Sequence, residues 1–557
     1  MEWLERSLEG TGPVRVLLAG SDQIFRDLPA EAVERLPRHR GELLLPTHGT
    51  GCWTSQAAAK RWNRLCESTA AAAECAATAA DWMGALPYPG ECLRTEWERF
   101  LWHQMHDDLT GTSVPEAYRF TWNDQILALG TFRSTLRDSA EAVAARLDTT
   151  GAGLPVVLFN PLGWERDELV EVVLDDPGEG LVAVRDADGR HRPLQAVRRD
   201  DGRWNVLFRA KVPALGFAVV HLAPTASGLE APELTAEAAG LRLENAHLSA
   251  RLDGSGRLAS LIALPGTRET LAGPVGLELL PDRSARWPAW EILFDDLVRG
   301  SEKPLAEPES VRLVESGPLR ATLEARHRAA GSEIRQRFRL TAGSPVLEIE
   351  TIVDWASSGR LLKLSVPAAA APDEATYDLG CGVVRRATAR PEKYEVPAQR
   401  WADLSETDGG LAVLAATTTG WDRPEPAVLR STLVRSPRVI RKFRHQGAQD
   451  RGRHRFLHAL HPHRGDWNDE ATTRRADELA QPLLAFTTVA HPGVFGRSFR
   501  LLAPDGDGVA VRALKREEDG RAVVLRLQES AGRTTHVGLA CAAPIASIRP
   551  LDGCERP

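Results

Sequence analysis

The spacing of apolar residues changes twice along the chain, and the changes divide it. From Thr54 to about Asp148 apolar side chains recur at helical spacing. Thr54 or Ser55 stands where a helix N-cap belongs. An Ala-rich run follows, with Trp62 and Leu65 on one stripe, and leads to Trp82 before Pro87-Tyr-Pro-Gly90 breaks it. A second helix places Leu93, Trp97, Phe100, Leu101 and Met105 on one face and is expected to end at the Thr110-Gly111-Thr112 turn. Pro115 fits the first position of a third helix, which carries Ile126, Leu129, Phe132 and Leu136 towards Leu147. Three helices joined by short connections predict a helical bundle over 51–150.

Upstream, residues 1–50 contain two short apolar runs, Val14–Ala19 and Glu42–Leu45, expected to be strands separated by a polar segment. Fifty residues bury little surface alone, so they read as the tail of an N-terminal α/β domain. After Gly151 the pattern turns to short β runs punctuated by Gly, Pro and Asp, as in Pro155–Leu174, Arg337–Asp354 and Gly520–Gln528. About 400 residues of this kind imply β-sandwiches in series. The expected divisions are a first sandwich over 151–231, a large sandwich over 232–480 and a terminal β domain over 481–557. The stretch Pro-Thr-Ala-Ser-Gly-Leu-Glu-Ala-Pro-Glu ahead of the second division reads as a linker. The fold class is therefore α+β and multidomain.

Composition narrows the function classes. The chain has 557 residues, a net charge of −7 and ordinary apolar (43%) and charged (26%) fractions. No broad electrostatic argument exists for nucleic acid or for an anionic membrane, and neither is expected as a partner. The Arg-rich stretch Arg435–Arg455 is a local exception and reads as a solvated loop. Seven cysteines, an odd number with no Cys-x-x-Cys pair, argue against a disulfide framework and against a zinc ribbon. The start Met-Glu-Trp-Leu-Glu-Arg lacks the apolar core of a signal peptide, so a cytoplasmic location is expected.

The densest chemistry lies in His103–Thr112, which reads HQMHDDLTGT. On a helix His103, His106 and Asp107 would share one face. Zinc needs three or four converging ligands, often with a carboxylate orienting an imidazole. The competing reading is a polar cluster that caps the helix and orders the turn. His48 reads as a turn or packing residue, and Trp122, Asn123 and Asp124 as residues that cap and pack. The row His454, His458, His461 and His463 reads as a strand packed against its neighbours rather than as a metal site.

The segment around HQMHDDLTGT resembles the central part of α-mannosidases of glycoside hydrolase family 38. So do GELLLPTHGTGCWTSQAAAKRWNR from Gly41, YRFTWNDQILALGTF from Tyr118, WADLSE from Trp401 and DRGRHRFLHALHPHRGDW from Asp450. Two places depart from the family pattern: Arg455 stands where a Glu is usual, and DWASSGRLLK from Asp354 lacks the usual His-Glu after its Trp. The resemblance implies that His106 is a zinc ligand and Asp107 a substrate-binding residue. It further implies a retaining hydrolysis of α-mannosides with zinc as cofactor. In the family the nucleophile, the acid/base and a His-x-Asp ligand pair come from an N-terminal α/β barrel, of which residues 1–50 would be a remnant. The only His-x-Asp here, His106 to Asp108, lies inside the bundle motif.

Glycoside hydrolysis needs two carboxylates flanking the scissile bond, and one imidazole does not hold zinc tightly. The chain is therefore expected to be inactive alone, with an incomplete zinc site and a separate barrel chain as a possible partner beside the mannoside glycan. The alternative is a non-catalytic carbohydrate-binding or structural β-sandwich protein derived from that family.

Overall fold

A computed structural model describes the chain except residues 1, 11, 46–47, 178–182, 224–228, 230–232, 285, 299–304, 306, 507, 519–521 and 557. Residues Met1–Leu45 form one compact unit and Pro46–Pro557 another. In the first unit the described elements are three short helices, Glu2–Leu8, Gln23–Arg26 and Ala30–Arg35. The strands expected at Val14–Ala19 and Glu42–Leu45 are absent there, with Val14 73% and Leu43 85% exposed. A strand requires a neighbour to take its N–H and C=O groups, and this unit contains none among its described residues.

In the second unit the bundle is built from Ala57–Trp82, Gly90–Trp102 and Pro115–Ala144, with Pro115 in the first turn of its helix. Alanines Ala70, Ala73, Ala76 and Ala80 of the first helix are fully buried and let Leu93, Phe100, Leu129, Phe132 and Val143 close around it. The same core runs on into Phe159, Phe217 and Leu514, so bundle and β-sheets share apolar packing. The second helix stops at Trp102, short of the expected turn, and leaves Leu101 and Met105 half exposed. His103 closes that helix and His106 opens a separate one-turn helix, His106–Leu109.

The first bundle helix takes its cap from far away. It begins at Ala57, and Gln56 precedes it with φ 58 and no side-chain cap of its own. The Asp450 carboxylate instead accepts from Gln56 N at 3.0 Å and Ala57 N at 2.7 Å. That satisfies two first-turn N–H groups and sets a negative charge at the positive end of the helix. Ser55, one of the expected caps, turns away and donates to Ala289 O at 2.6 Å.

The sheet that starts at Leu154–Asn160 has eight strands, and it includes Leu484–Thr487 paired antiparallel to Leu154–Asn160. Ser498–Arg500 pairs with Gly216–Ala223 of the same sheet. The chain beyond 480 thus returns to the first sheet before forming the hairpin Val509–Arg516 with Val523–Glu529. This crosses the expected division at 480/481, because pairing across more than 300 residues leaves no local trace. The linker expected before Pro232 lies largely outside the described residues. A nine-stranded and a five-stranded antiparallel sheet make up most of 276–463.

The histidine row lies on the strand Gly452–His463. His454 and His458 have even numbers and His461 and His463 odd, so the two pairs face opposite sides of the sheet. His458 Nε2 lies 3.1 Å from both Thr418 Oγ1 and Ser431 Oγ, and His461 Nδ1 lies 3.3 Å from Thr472 Oγ1. Burial pushes both imidazoles down to about 3 from an ordinary 6.5, with His463 and Arg475 adding to the effect at His461. Between pH 6.5 and 3 the unfolded chain therefore binds protons that the native chain refuses, and stability falls as pH falls. The steepest slope is about 1.4 kcal/mol per pH unit for each histidine. His458→Gln and His461→Gln are expected to flatten the loss of urea midpoint between pH 6 and 4; unchanged slopes would contradict this assignment.

Candidate functional site

The chain around His103–Thr112 sorts its two histidines and two aspartates: His103 and Asp108 are buried, His106 is exposed and Asp107 half-buried. His103 is 4% exposed and bridges two carboxylates, with Nδ1 2.9 Å from Asp108 Oδ2 and Nε2 3.0 Å from Asp124 Oδ2. That hydrogen bond, more than any other cause, holds the Asp124 carboxyl below its ordinary value. Asp108 also accepts from Ser113 Oγ at 2.8 Å and Thr121 Oγ1 at 3.1 Å. Tyr118 OH donates to the Asp107 carbonyl at 3.1 Å. This network pins the one-turn helix against the third bundle helix.

On its outer side the His106 side chain is 85% exposed, with Nε2 3.4 Å from Asp107 Oδ2. Asp107 Oδ1 accepts from Thr112 Oγ1 at 2.8 Å. The expected common face of His103, His106 and Asp107 does not form. The turn at His103–Met105 interrupts the helix and rotates His103 inward and His106 outward. His103 and Asp108 make the polar cluster of the competing reading, while His106 is exposed and Asp107 half-buried beside it.

The tip is also fixed from below. Lys60, buried, donates from Nζ to Ser55 O at 2.5 Å and Leu109 O at 2.9 Å. Gly111 has φ 86, and a Cβ there would land on the Ser55 carbonyl, so the turn seats directly on the helix start. Gly111→Ala is expected to lower stability by about 1–3 kcal/mol through left-handed strain and that clash, read as a drop in Tm. A neutral result would mean that the turn is not seated.

Burial pushes the Lys60 amine down to about 8 from 10.5, and the Asp450 carboxylate opposes the shift. Between pH 8 and 10.5 the unfolded chain holds a proton that the native one has lost, so the Lys60 contribution rises with pH. Relative to wild type, Lys60→Met should lack this rise; parallel urea midpoints from pH 8 to 10 would refute it.

Lys60 and Asp450 were not legible as site residues, since their partners lie 49 and 394 positions away at Leu109 and Gln56. His48 is exposed, as a turn residue, and its ring stands edge-on to Trp287 with centroids 5.0 Å apart. Trp122 tilts against Tyr118 at 6.1 Å, and Asp124 serves as the second partner of His103. Arg455, at the position that departs from the family pattern, pairs with the buried Glu350.

Among the described residues no group of three His, Cys, Asp or Glu side chains converges to hold a metal. No described helix is long and apolar enough to cross a membrane. The exposed imidazole of His106, with a carboxylate beside it, fits one corner of a zinc shell and not the whole of it.

Residues 48–143 match the α-mannosidase middle domain, and residues 243–439 match the glycosyl hydrolases family 38 C-terminal domain. The chain belongs to glycoside hydrolase family 38. It is 29% identical to human alpha-mannosidase 2C1 over all of this chain and 51% of that protein. It is 24% identical to alpha-mannosidase G of Dictyostelium discoideum over 96% of this chain and 52% of that one. The chain thus spans about half the length of these relatives. A family 38 protein from Enterococcus faecalis has the same fold, with TM-score 0.79 at 16% identity over 98% of this chain and 72% of that chain. An α-mannosidase from the same organism gives TM-score 0.77 at 17% identity, over 92% and 67%. Within this family frame, the His106–Asp107 tip falls in the middle domain.

Proposed function

We propose that this chain forms the non-barrel part of a retaining, zinc-dependent α-mannosidase, in which His106 supplies one zinc ligand and Asp107 contacts the sugar. The observation that carries the reading is the display of the pair: an exposed His106 imidazole beside a partly exposed Asp107 carboxylate, on a tip whose other polar groups are tied down. Such bracing holds a ligand within the narrow geometry that metal and sugar binding require. When bound, zinc would act as a Lewis acid and grip for sugar hydroxyls. The chain's own residues position: His103 and Asp108 fix the turn, and Thr112 orients the Asp107 carboxylate towards the same side as His106. The nucleophile, the acid/base and the remaining ligands belong, on this reading, to a barrel domain outside residues 1–557.

Hydrolysis of an aryl α-mannoside tests the reading. The chain alone with zinc is expected to release no aglycone above background. Activity should appear when a family 38 barrel domain is added and should fall by at least a hundredfold with His106→Ala. Full activity of the chain alone, or equal activity of wild type and His106→Ala in the mixture, would overturn it.

A further inference from the structure

Beside the tip lies a second group of side chains that the hydrolase reading does not use. Trp287 and Trp290 stand nearly perpendicular, with centroids 6.1 Å apart, and Phe443 lies 6.4 and 6.3 Å from them. All three rings are half-buried. His48 closes one side, near-parallel to Trp290 at 6.4 Å.

Two cations lie against these rings. Arg286 lies over Trp287 at 5.6 Å and Lys442 over Phe443 at 5.3 Å. Arg441 and Arg444 flank Phe443 and are exposed. Among the described residues no carboxylate pairs with any of these four cations. Of the acids close by in sequence, Glu291 accepts from Ser284 Oγ at 2.6 Å and Asp296 pairs with Arg283. In a chain of net charge −7 this is a concentrated local excess.

The group is also firmly held and tied to the tip. Gln446 Oε1 accepts from Ala289 N at 3.0 Å, linking the tryptophan loop to the basic turn. Ser55, on which Gly111 sits, donates to the carbonyl of that same Ala289, and Gly51 N donates to Trp290 O at 2.7 Å. Cys52 Sγ lies 3.9 Å from the same Trp290 carbonyl.

We propose that Trp287, Trp290 and Phe443 form a binding platform for a pyranoside bearing a negatively charged substituent, whose charge is taken by Arg286, Lys442 and Arg444. Aromatic faces receive the C–H face of a pyranose, and fixed polar groups at the rim of such a pocket set orientation and specificity. Guanidinium and ammonium groups without partners supply charge-assisted hydrogen bonds to phosphate or carboxylate. The stretch Arg435–Arg455, expected to be a solvated loop, is instead structured. Arg435 lies at the end of the strand Val428–Ser436 with its side chain buried against Asp282, Arg441–Ala448 is a 3-10 helix whose cations are exposed, and Gly452 opens another strand. The choice of mannose as the sugar rests on the proposed hydrolase; the platform itself does not.

Calorimetric titration of the full chain with mannose 6-phosphate, mannuronate, mannose and inorganic phosphate tests this, with tryptophan fluorescence as a second readout. At least one of the two charged sugars is expected to bind tenfold or more tighter than both mannose and phosphate, and the pair distinguishes phosphate from carboxylate. Lys442→Ala with Arg444→Ala, both at exposed positions, should bring that affinity down to the mannose level. Equal binding of charged and neutral sugar, phosphate binding as tightly as the charged sugars, or unchanged affinity in the double variant would each overturn the proposal. No hydrolysis is measured, so failure of the hydrolase reading would leave these results unaffected.

Discussion

Replacement of Arg435 by methionine is expected to lower stability by about 3–5 kcal/mol, the range for breaking one side of a buried ion pair. Arg435 and Asp282 are both fully buried. The guanidinium grips the carboxylate with two bonds, Nε to Oδ2 at 2.9 Å and Nη2 to Oδ1 at 2.8 Å. It also donates to Ser55 Oγ at 2.8 Å, Ala289 O at 3.0 Å and Glu291 O at 2.8 Å. One side chain thus joins the helix start under the tip to the loop of Trp287 and Trp290. Burial already pushes the Asp282 carboxyl up against the opposing pull of Arg435, so removing the arginine strands an acid with no counter-charge. Adding Asp282→Asn to Arg435→Met should recover part of the loss, because the stranded charge is what costs most. A urea midpoint for Arg435→Met within error of wild type would contradict the assignment.

Asp108→Ala is expected to have the second large effect, on stability and on the site together. The carboxylate accepts from His103, Ser113 and Thr121, and without it His103 and Ser113 lose a partner under the turn, while Thr121 keeps Ala117 O as an acceptor. Loss of such charge-assisted bonds costs on the order of 2–3 kcal/mol. In the proposed holoenzyme Asp108 is a positioning residue, and outer-shell changes of that kind typically weaken metal binding by about 10–100-fold. Thermal unfolding and zinc affinity would be read on the same variant. A lower Tm with unchanged zinc affinity would make Asp108 a purely structural residue.

The helices were legible because their apolar period is long and their punctuation local. Pro115 and the Pro87–Gly90 break fall where the structure places helix boundaries. The strand character of Gly452–His463 was legible as well, and its period of two accounts for the histidines facing opposite sides. What failed or was invisible depends on distant partners. Val14–Ala19 reads as a strand but has no ladder partner among the described residues of its unit. Asp450 caps a helix that begins at Ala57, and no local pattern marks it. Arg435 reads as one arginine among many until Asp282 and Ser55 are brought to it. Within the motif the face expected from spacing does not form. Spacing on an unbroken helix groups His103 with His106, whereas a three-residue turn separates them.

The most direct test of His106 as a shared zinc ligand is a zinc titration of this chain mixed with a family 38 barrel domain, wild type against His106→Ala. The account predicts one tightly bound zinc per complex and an affinity at least a hundredfold weaker in the variant. The same affinity in both, with the complex still formed, would contradict it.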